Sequence, residues 1–134
     1  MFAYTRSIFL KETDATGVIY FGSLFQYALE AFEVLLSEKK TPLSTILLQG
    51  YLLPIVHAEA DYQAPLRVGD QISIELTLGR VGQKSFSIQS KMILLPDRKE
   101  AGKVEIVHAF IRKGEDKASE IPFEILTLLQ KGLF

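Results

Sequence analysis

Cysteine is absent from the 134 residues of this chain, and its absence excludes several kinds of chemistry at once. Without a thiol there is no cysteine nucleophile, no disulfide framework and no thiolate metal site. The lack of cysteine also suits a reducing compartment. The first residues have neither the basic start nor the continuous apolar core of a signal peptide. We therefore expect a cytoplasmic protein.

An excess of charge of one sign is also lacking. Fifteen basic and sixteen acidic residues give a net charge of -1, and no basic block stands out, so nucleic acid is not an expected partner. No apolar run is long enough to cross a bilayer, so we expect no membrane partner either. With 48% hydrophobic residues, the chain can bury a sizeable core. We expect a single domain over residues 1–134.

Familiar catalytic motifs are missing as well: there is no G-x-S-x-G elbow, phosphate loop or dinucleotide fingerprint. The only two histidines, His57 and His108, fall in different predicted strands without a nearby ligand partner, so we expect no metal site. His108 shares its side of the strand with apolar residues, which favours a packed structural histidine. Carboxylates remain as the candidates for chemistry.

The hydrophobic pattern changes its period along the chain and predicts an α+β fold. Apolar residues at helical spacing predict a long helix from Ser23, the expected N-cap, to about Lys40. Alternation with a period of two then predicts strands. Such an order suggests an antiparallel meander curved around the long helix. The predicted strands cover residues 2–11, 53–64, 71–80, 84–95 and 103–113, and the shorter helices cover residues 43–49 and 122–130.

The loop before the long helix places Asp14 beside four apolar residues at positions 18–21. Apolar neighbours would remove water from the carboxylate and raise its pKa, which improves a base or nucleophile. The helix that follows offers free backbone N–H groups that can hold an oxyanion. Together these are the minimum equipment for acyl transfer, although a simple capping loop explains the pattern equally well. By contrast, Asp70 is expected in a turn, and solvent exposure or a buried hydrogen bond explains Glu30 and Glu33.

Several segments resemble a known family in the same order along the chain. The segment TDATGVIYFGSLFQYALEAFE resembles the signature of the hot dog fold acyl-CoA thioesterases of the 4-hydroxybenzoyl-CoA thioesterase type. ADYQAPLRVGDQISIEL, VGQKSFSIQSKM and IPFEILTLL resemble that family's later strands and closing helix. The resemblance implies an antiparallel sheet wrapped around a long central helix. It also implies an acyl-CoA substrate, no cofactor because coenzyme A is part of the substrate, and a homo-oligomer, either a dimer or a tetramer.

The resemblance also assigns roles to individual residues. Asp14 matches the family's catalytic carboxylate, which attacks the thioester carbonyl or activates water for that attack. Phe21 matches the residue whose backbone N–H polarises the thioester oxygen. Many relatives carry histidine there, so any role of that imidazole is excluded here. Gly17 matches the glycine that permits the tight turn between them.

The variant with Tyr20 and Phe21 is most similar to the family members that hydrolyse 1,4-dihydroxy-2-naphthoyl-CoA in phylloquinone and menaquinone synthesis. A bicyclic aromatic acyl group would suit a pocket lined by Tyr20, Phe21, Phe25 and Tyr62, although the same rings could be core packing. The alternatives are hydrolysis of short or medium aliphatic acyl-CoA, a non-catalytic acyl-CoA-binding module, a dehydratase and a plain interaction domain. The missing histidine argues against a dehydratase, and Asp14 argues against a module that only binds.

Overall fold

A computed structural model describes residues 1–132 and 134, and it contains one main sheet and one long helix. The α+β class predicted from periodicity is confirmed. The helices are α1 (Ser23–Glu38), α2 (Leu43–Leu48) and α3 (Phe123–Thr127), with a 3-10 turn at Leu10–Glu12 and a π turn at Leu128–Gly132. The strands are β1 (Phe2–Ser7), β2 (Tyr51–Leu52), β3 (Ile55–Tyr62), β4 (Gln71–Val81), β5 (Ser85–Leu95), β6 (Lys99–Ala109) and β7 (Ile111–Arg112).

The main sheet is antiparallel throughout and has the order β1-β4-β5-β6-β3. The predicted meander of four strands is therefore wrong for β3, which pairs with β6 at the far edge instead of with β4. The position beside β4 is taken by β1. Next to this pair, the Ile8 N–H donates to the Asp70 carbonyl at 2.8 Å and the Gly69 N–H donates to the Ile8 carbonyl at 3.0 Å. Alternation indicates which face of a strand is buried, but it carries no information on the neighbouring strand.

Helix α1 lies against one face of this sheet through a continuous apolar stripe. Its contacts include both edge strands, β1 and β3, as well as β4 and β6, so the sheet curves around the helix. This arrangement confirms the predicted hot dog architecture. The buried residues of the stripe are Leu24, Tyr27, Ala28, Ala31, Phe32, Leu35 and Leu36.

Gly102 in β6 allows the first turn of α1 to approach the sheet closely. A Cβ atom at this position would lie 2.9 Å from Leu24 Cδ2 and 3.2 Å from the Asp61 carbonyl oxygen. A real side chain could not occupy that space unless the Leu24 side chain and the backbone at Asp61 moved. The start of α1, and the loop that enters it, are thus held against β3 and β6.

Strand β3 forms an edge of the sheet, and its outer side has no partner strand among residues 1–132 and 134. This edge exposes large apolar side chains, namely Ile55, Val56 and Tyr62. Exposed apolar edges are unusual in proteins that remain monomeric. Within the same described residues, no helix combines the length and apolar character needed to cross a membrane.

Candidate active site

The loop before α1 folds back on itself as a small hairpin. Thr13 bridges to Ile19, the Asp14 N–H donates to the Val18 carbonyl at 3.1 Å, and the Gly17 N–H donates to the Asp14 carbonyl at 3.1 Å. Gly17 has φ +83°, a left-handed conformation that glycine adopts without strain. The role expected of Gly17 in a tight turn therefore matches the geometry. Asp14 lies at the turn of this hairpin.

The Asp14 carboxylate is exposed, and its partner is Thr16. Its Oδ1 accepts hydrogen bonds from the Thr16 hydroxyl and from the Thr16 N–H, the latter at 2.8 Å. These bonds from Thr16 stabilise the charged form and lower the pKa of Asp14. The expectation that apolar neighbours would raise this pKa is wrong for the single chain, because the hairpin turns Ile19 into the core and leaves Asp14 in water.

The peptide groups around Phe21 are fixed from both sides. The Tyr20 N–H donates to the Glu12 carbonyl at 2.8 Å, and the Tyr62 hydroxyl donates to the Phe21 carbonyl at 2.6 Å. Within residues 1–132 and 134, no acceptor binds the Phe21 N–H itself. That N–H is therefore available to a ligand just before α1 begins.

Ser23 differs from its expected role as the N-cap. The N-cap position is occupied by Gly22, without a side-chain capping bond, and Ser23 is the first helical residue. The Ser23 hydroxyl instead donates to the Glu12 carbonyl at 2.8 Å. The Ser23 N–H donates to the Tyr20 carbonyl at 2.9 Å, so both the amide and the hydroxyl of this serine connect α1 to the loop.

The four candidate aromatic residues fall into two groups. Tyr20 and Phe21 are 50% and 62% exposed, and their ring centroids lie 4.6 Å apart. Tyr62 is exposed as well and contacts Phe21 through its hydroxyl. Only Phe25 packs against the core. Three of the four are therefore a surface patch beside the loop, and core packing does not explain them.

A shallow groove of about 260 Å³ runs beside this aromatic patch. Its mainly apolar lining includes Val18, Ile19, Leu24, Tyr62 and Pro65. A larger cavity of about 760 Å³ follows the outer side of α1, where it is lined by several glutamates. Arg6 and Lys11 line this cavity as well, so its surface is charged and polar, and the apolar groove is the better place for an acyl group.

A group of partly buried polar residues beneath the loop was not found from the sequence. Glu12 accepts hydrogen bonds from the Arg6 guanidinium, from the Phe9 N–H at 2.9 Å and from the Tyr27 hydroxyl at 3.1 Å. Arg6 also binds both carboxylate oxygens of Glu30, at 2.8 and 2.9 Å. The sequence signal was an arginine on the inward side of β1 and a tyrosine within the apolar stripe of α1.

The histidines are not part of this arrangement. His108 is 5% exposed, stacks on Phe86 and lies 3.1 Å from the Leu53 carbonyl through Nδ1. Burial lowers the pKa of His108, which therefore packs as a neutral ring. His57 is exposed, 3.3 Å from Glu59. In the part of the chain that the structure describes, no cluster of three or more His, Asp or Glu residues could hold a metal ion.

Comparisons with known proteins show what the whole chain is similar to. The model of the thioesterase-like superfamily matches residues 9–129, which include the whole loop. The 1,4-dihydroxy-2-naphthoyl-CoA hydrolase of Synechocystis sp. is 30% identical over 122 residues, covering 90% of this chain and 88% of that one. The hydrolase of the same name from Rippkaea orientalis is 42% identical over 86 residues, covering 63% and 62%. The crystal structure of a 1,4-dihydroxy-2-naphthoyl-CoA thioesterase from Synechocystis superposes with a TM-score of 0.90 at 29% identity, covering 97% and 96%.

Proposed function

Because the chain belongs to the thioesterase-like superfamily, we infer that it is an enzyme that hydrolyses the thioester of 1,4-dihydroxy-2-naphthoyl-CoA. The observation that carries this inference is similarity over almost the whole chain to hydrolases of that name. The matched region includes the loop on which an exposed carboxylate and an unpaired backbone N–H occur together. The substrate is an acyl-CoA, and its products are the free acid and coenzyme A.

We propose that Asp14 supplies the reactive carboxylate. Because its pKa is lowered, the group is ionised at neutral pH and can attack the thioester carbonyl or take a proton from an attacking water. The Phe21 N–H would donate to the carbonyl oxygen as negative charge develops there. Both routes need only water as a second reactant, so we propose that no cofactor takes part.

The aromatic patch supports a planar acyl group. Tyr20, Phe21 and Tyr62 offer exposed ring surface beside the proposed oxyanion donor, and Phe25 follows in the first turn of α1. Offset or edge-on contacts between aromatic rings contribute about 0.5–1.5 kcal/mol each beyond the burial of area. Two such contacts would favour aryl over short alkyl thioesters by roughly tenfold or more in binding.

We propose further that the enzyme is a homo-oligomer built from dimers. The unpaired edge of β3 carries exposed apolar side chains, and pairing with a second copy across a twofold axis would cover them. Tyr62, the last residue of β3, also touches the Phe21 carbonyl. A second copy paired with β3 would therefore lie next to the loop and help to enclose the acyl group.

A panel of acyl-CoA substrates tests the function. We expect specificity constants to be highest for 1,4-dihydroxy-2-naphthoyl-CoA, lower for benzoyl-CoA, and lowest for acetyl-, butyryl- and palmitoyl-CoA. A preference for the aliphatic substrates would contradict the proposed substrate and keep only the thioesterase activity. Binding of acyl-CoA without any hydrolysis would contradict the enzyme as well.

Replacing Asp14 by asparagine tests the catalytic carboxylate. Asp14→Asn keeps the size of the side chain but removes its charge and its nucleophilic oxygen. We expect kcat to fall by a factor on the order of a hundred or more, as for the loss of a catalytic base, while acyl-CoA still binds. Asp116→Asn, at another exposed aspartate, is the matched control and should keep full activity. Hydrolysis by the Asp14 variant at the wild-type rate would exclude the assignment.

A further inference from the structure

The carbonyl oxygen of Glu12 is one of the points at which the loop before α1 is held, and it binds this loop on both sides of Phe21. It accepts two hydrogen bonds, from the Tyr20 N–H and from the Ser23 hydroxyl, each at 2.8 Å. The first donor lies just before Phe21 and the second just after it. The Ser23 N–H in turn donates to the Tyr20 carbonyl at 2.9 Å.

These bonds determine the direction of the Phe21 N–H. The Tyr20 carbonyl and the Phe21 N–H belong to one planar trans peptide, so they point in opposite directions. Fixing the carbonyl on Ser23 therefore also orients the N–H, which remains without a protein partner in residues 1–132 and 134. The orientation of the proposed oxyanion donor thus depends on where the Glu12 carbonyl stands.

The side chain of Glu12 is held as firmly as its carbonyl. Arg6, the Phe9 N–H and the Tyr27 hydroxyl all donate to its carboxylate. The side chains of Arg6 and Glu12 are only 10% and 13% exposed. Arg6 also lies over the Tyr27 ring, 4.7 Å from its centroid, and binds Glu30 with two hydrogen bonds. Arg6 thus joins the two carboxylates, Glu12 through Nη2 and Glu30 through Nη1, by charge-assisted hydrogen bonds, which are stronger than neutral ones.

Glu12 is unsuited to acid-base chemistry. Burial alone would raise its pKa, but the hydrogen bonds from Phe9, Arg6 and Tyr27 outweigh that effect and lower it. Its carboxylate is therefore ionised, and three donors already occupy it. Buried ion pairs contribute little net stability, because desolvation offsets the attraction. Because Arg6 and Glu12 lie beneath the loop, we infer that their ion pair serves to position the loop backbone.

We propose that Arg6, Glu12 and Tyr27 are positioning residues for thioester hydrolysis. Their side chains hold the Glu12 backbone, and the Glu12 carbonyl holds the peptide that presents the Phe21 N–H. The proposal rests on the proposed function, in which that N–H donates to the thioester oxygen. A donor acts on the rate only when it meets the oxygen of the transition state, so its misplacement lowers kcat more than it weakens substrate binding.

Tyr27→Phe tests this chain of contacts with little risk to the fold, since the buried ring and its contact with Arg6 remain. We expect kcat to fall about tenfold, less than the 10²–10³ for the complete loss of an oxyanion donor, with KM unchanged within about twofold. Tyr51→Phe makes the same chemical change on β2 and should leave kcat unchanged. An unchanged kcat in Tyr27→Phe would overturn the proposal.

Amide hydrogen exchange, followed by NMR, gives a second readout that does not depend on activity. The Tyr20 N–H is bound to Glu12, whereas the neighbouring Ile19 N–H donates to the Leu66 carbonyl at 2.9 Å. In Tyr27→Phe we expect exchange of the Tyr20 amide to accelerate about tenfold or more relative to that of Ile19. Equal acceleration of both amides would indicate general destabilisation and overturn the proposal. If the wild-type protein hydrolyses no acyl-CoA, the proposed function fails, while the exchange ratio still decides whether Glu12 is positioned by Tyr27.

Discussion

At the scale of single residues, the environment of Asp14 is set by a short polar contact within its own turn. The Thr16 hydroxyl and N–H both donate to one carboxylate oxygen, so the charged form is stabilised although the side chain is exposed. The result is a carboxylate that stays ionised at any pH near neutrality. Thr16 thereby keeps the proposed reactive group in the state that both possible mechanisms require.

Removal of the Thr16 hydroxyl should raise the pKa of Asp14. In Thr16→Val the backbone N–H bond to Asp14 is kept, but the hydroxyl bond is lost, so the carboxylate is stabilised less and its pKa rises toward the ordinary value of 3.8. The titration is measured by 13C NMR of the Asp14 carboxyl carbon. The acid limb of kcat/KM, which reports ionisation in the free enzyme, should move to higher pH in the same direction.

Thr13→Val is the matched control for this measurement. The Thr13 hydroxyl lies in the same loop but donates to the Leu10 carbonyl at 2.8 Å and has no contact with Asp14. The Asp14 titration should therefore coincide with that of the wild-type protein. An identical titration in Thr16→Val would show that the hydroxyl contact does not control the carboxylate.

The sequence identified Asp14 and Phe21 as candidates but could not describe their surroundings. Burial of a loop carboxylate depends on which way the loop turns, and here the hairpin sends Ile19 inward and Asp14 outward. The Glu12 network was missed for a related reason. Its members are separated along the chain and come together only when β1 lies beneath α1. Such contacts belong to tertiary structure, which local patterns do not encode.

At the scale of elements, the hydrophobic pattern located the helices and strands well but not their pairing. Helix α1 begins at Ser23, the residue expected as its N-cap, and ends two residues early, and β4 and β5 agree within one residue at each end. Strand β6 begins at Lys99, four residues before its predicted start. The place of β3 at the far edge could not be inferred. Strands β4 and β6 both alternate between apolar and polar residues, and this pattern does not indicate which strand pairs with which.

The close approach of α1 to the sheet makes Gly102 sensitive to substitution. In Gly102→Ala the new Cβ would meet the Leu24 side chain and the Asp61 carbonyl, so the packed Leu24 and the neighbouring strand must shift to make room. We expect the free energy of unfolding to fall by about 1–3 kcal/mol, the usual cost of overpacking. Equilibrium unfolding in urea measures the change.

Gly82→Ala provides the control for glycine replacement as such. Gly82 lies at the turn between β4 and β5, where a Cβ would be 3.5 Å from its nearest neighbour, an ordinary contact. Its unfolding midpoint should remain close to that of the wild-type protein. If the Gly102 variant were equally stable, the space between α1 and β6 would have to be larger than the structure indicates.

At the scale of the whole molecule, the two edges of the main sheet differ in what they expose. Strand β1 presents the small or polar side chains of Ala3 and Thr5, whereas β3 presents the large apolar side chains of Ile55, Val56 and Tyr62 beside polar ones such as Glu59 and Asp61. Exposure of these apolar side chains and of the unpaired strand edge to water is unfavourable, so we expect a second copy of the chain to cover β3. Since Tyr62 also contacts the loop, association and activity should depend on the same strand.

A charge introduced on β3 should separate the subunits and lower activity together. Val56 is 61% exposed in the single chain, so Val56→Lys is tolerated by an isolated subunit, but burial of its ammonium group in a dimer would be costly. We expect the mass measured by light scattering to fall from that of an oligomer to about that of one 15.1 kDa chain. We also expect kcat/KM to fall by roughly tenfold or more, because the aromatic patch then stays open to water and ring contacts are lost.

Thr5→Lys places the same charge on the opposite edge and should change neither quantity. A wild-type protein that is monomeric at micromolar concentration and fully active would contradict the predicted assembly. A Val56→Lys monomer with full activity would instead show that one chain forms a complete site.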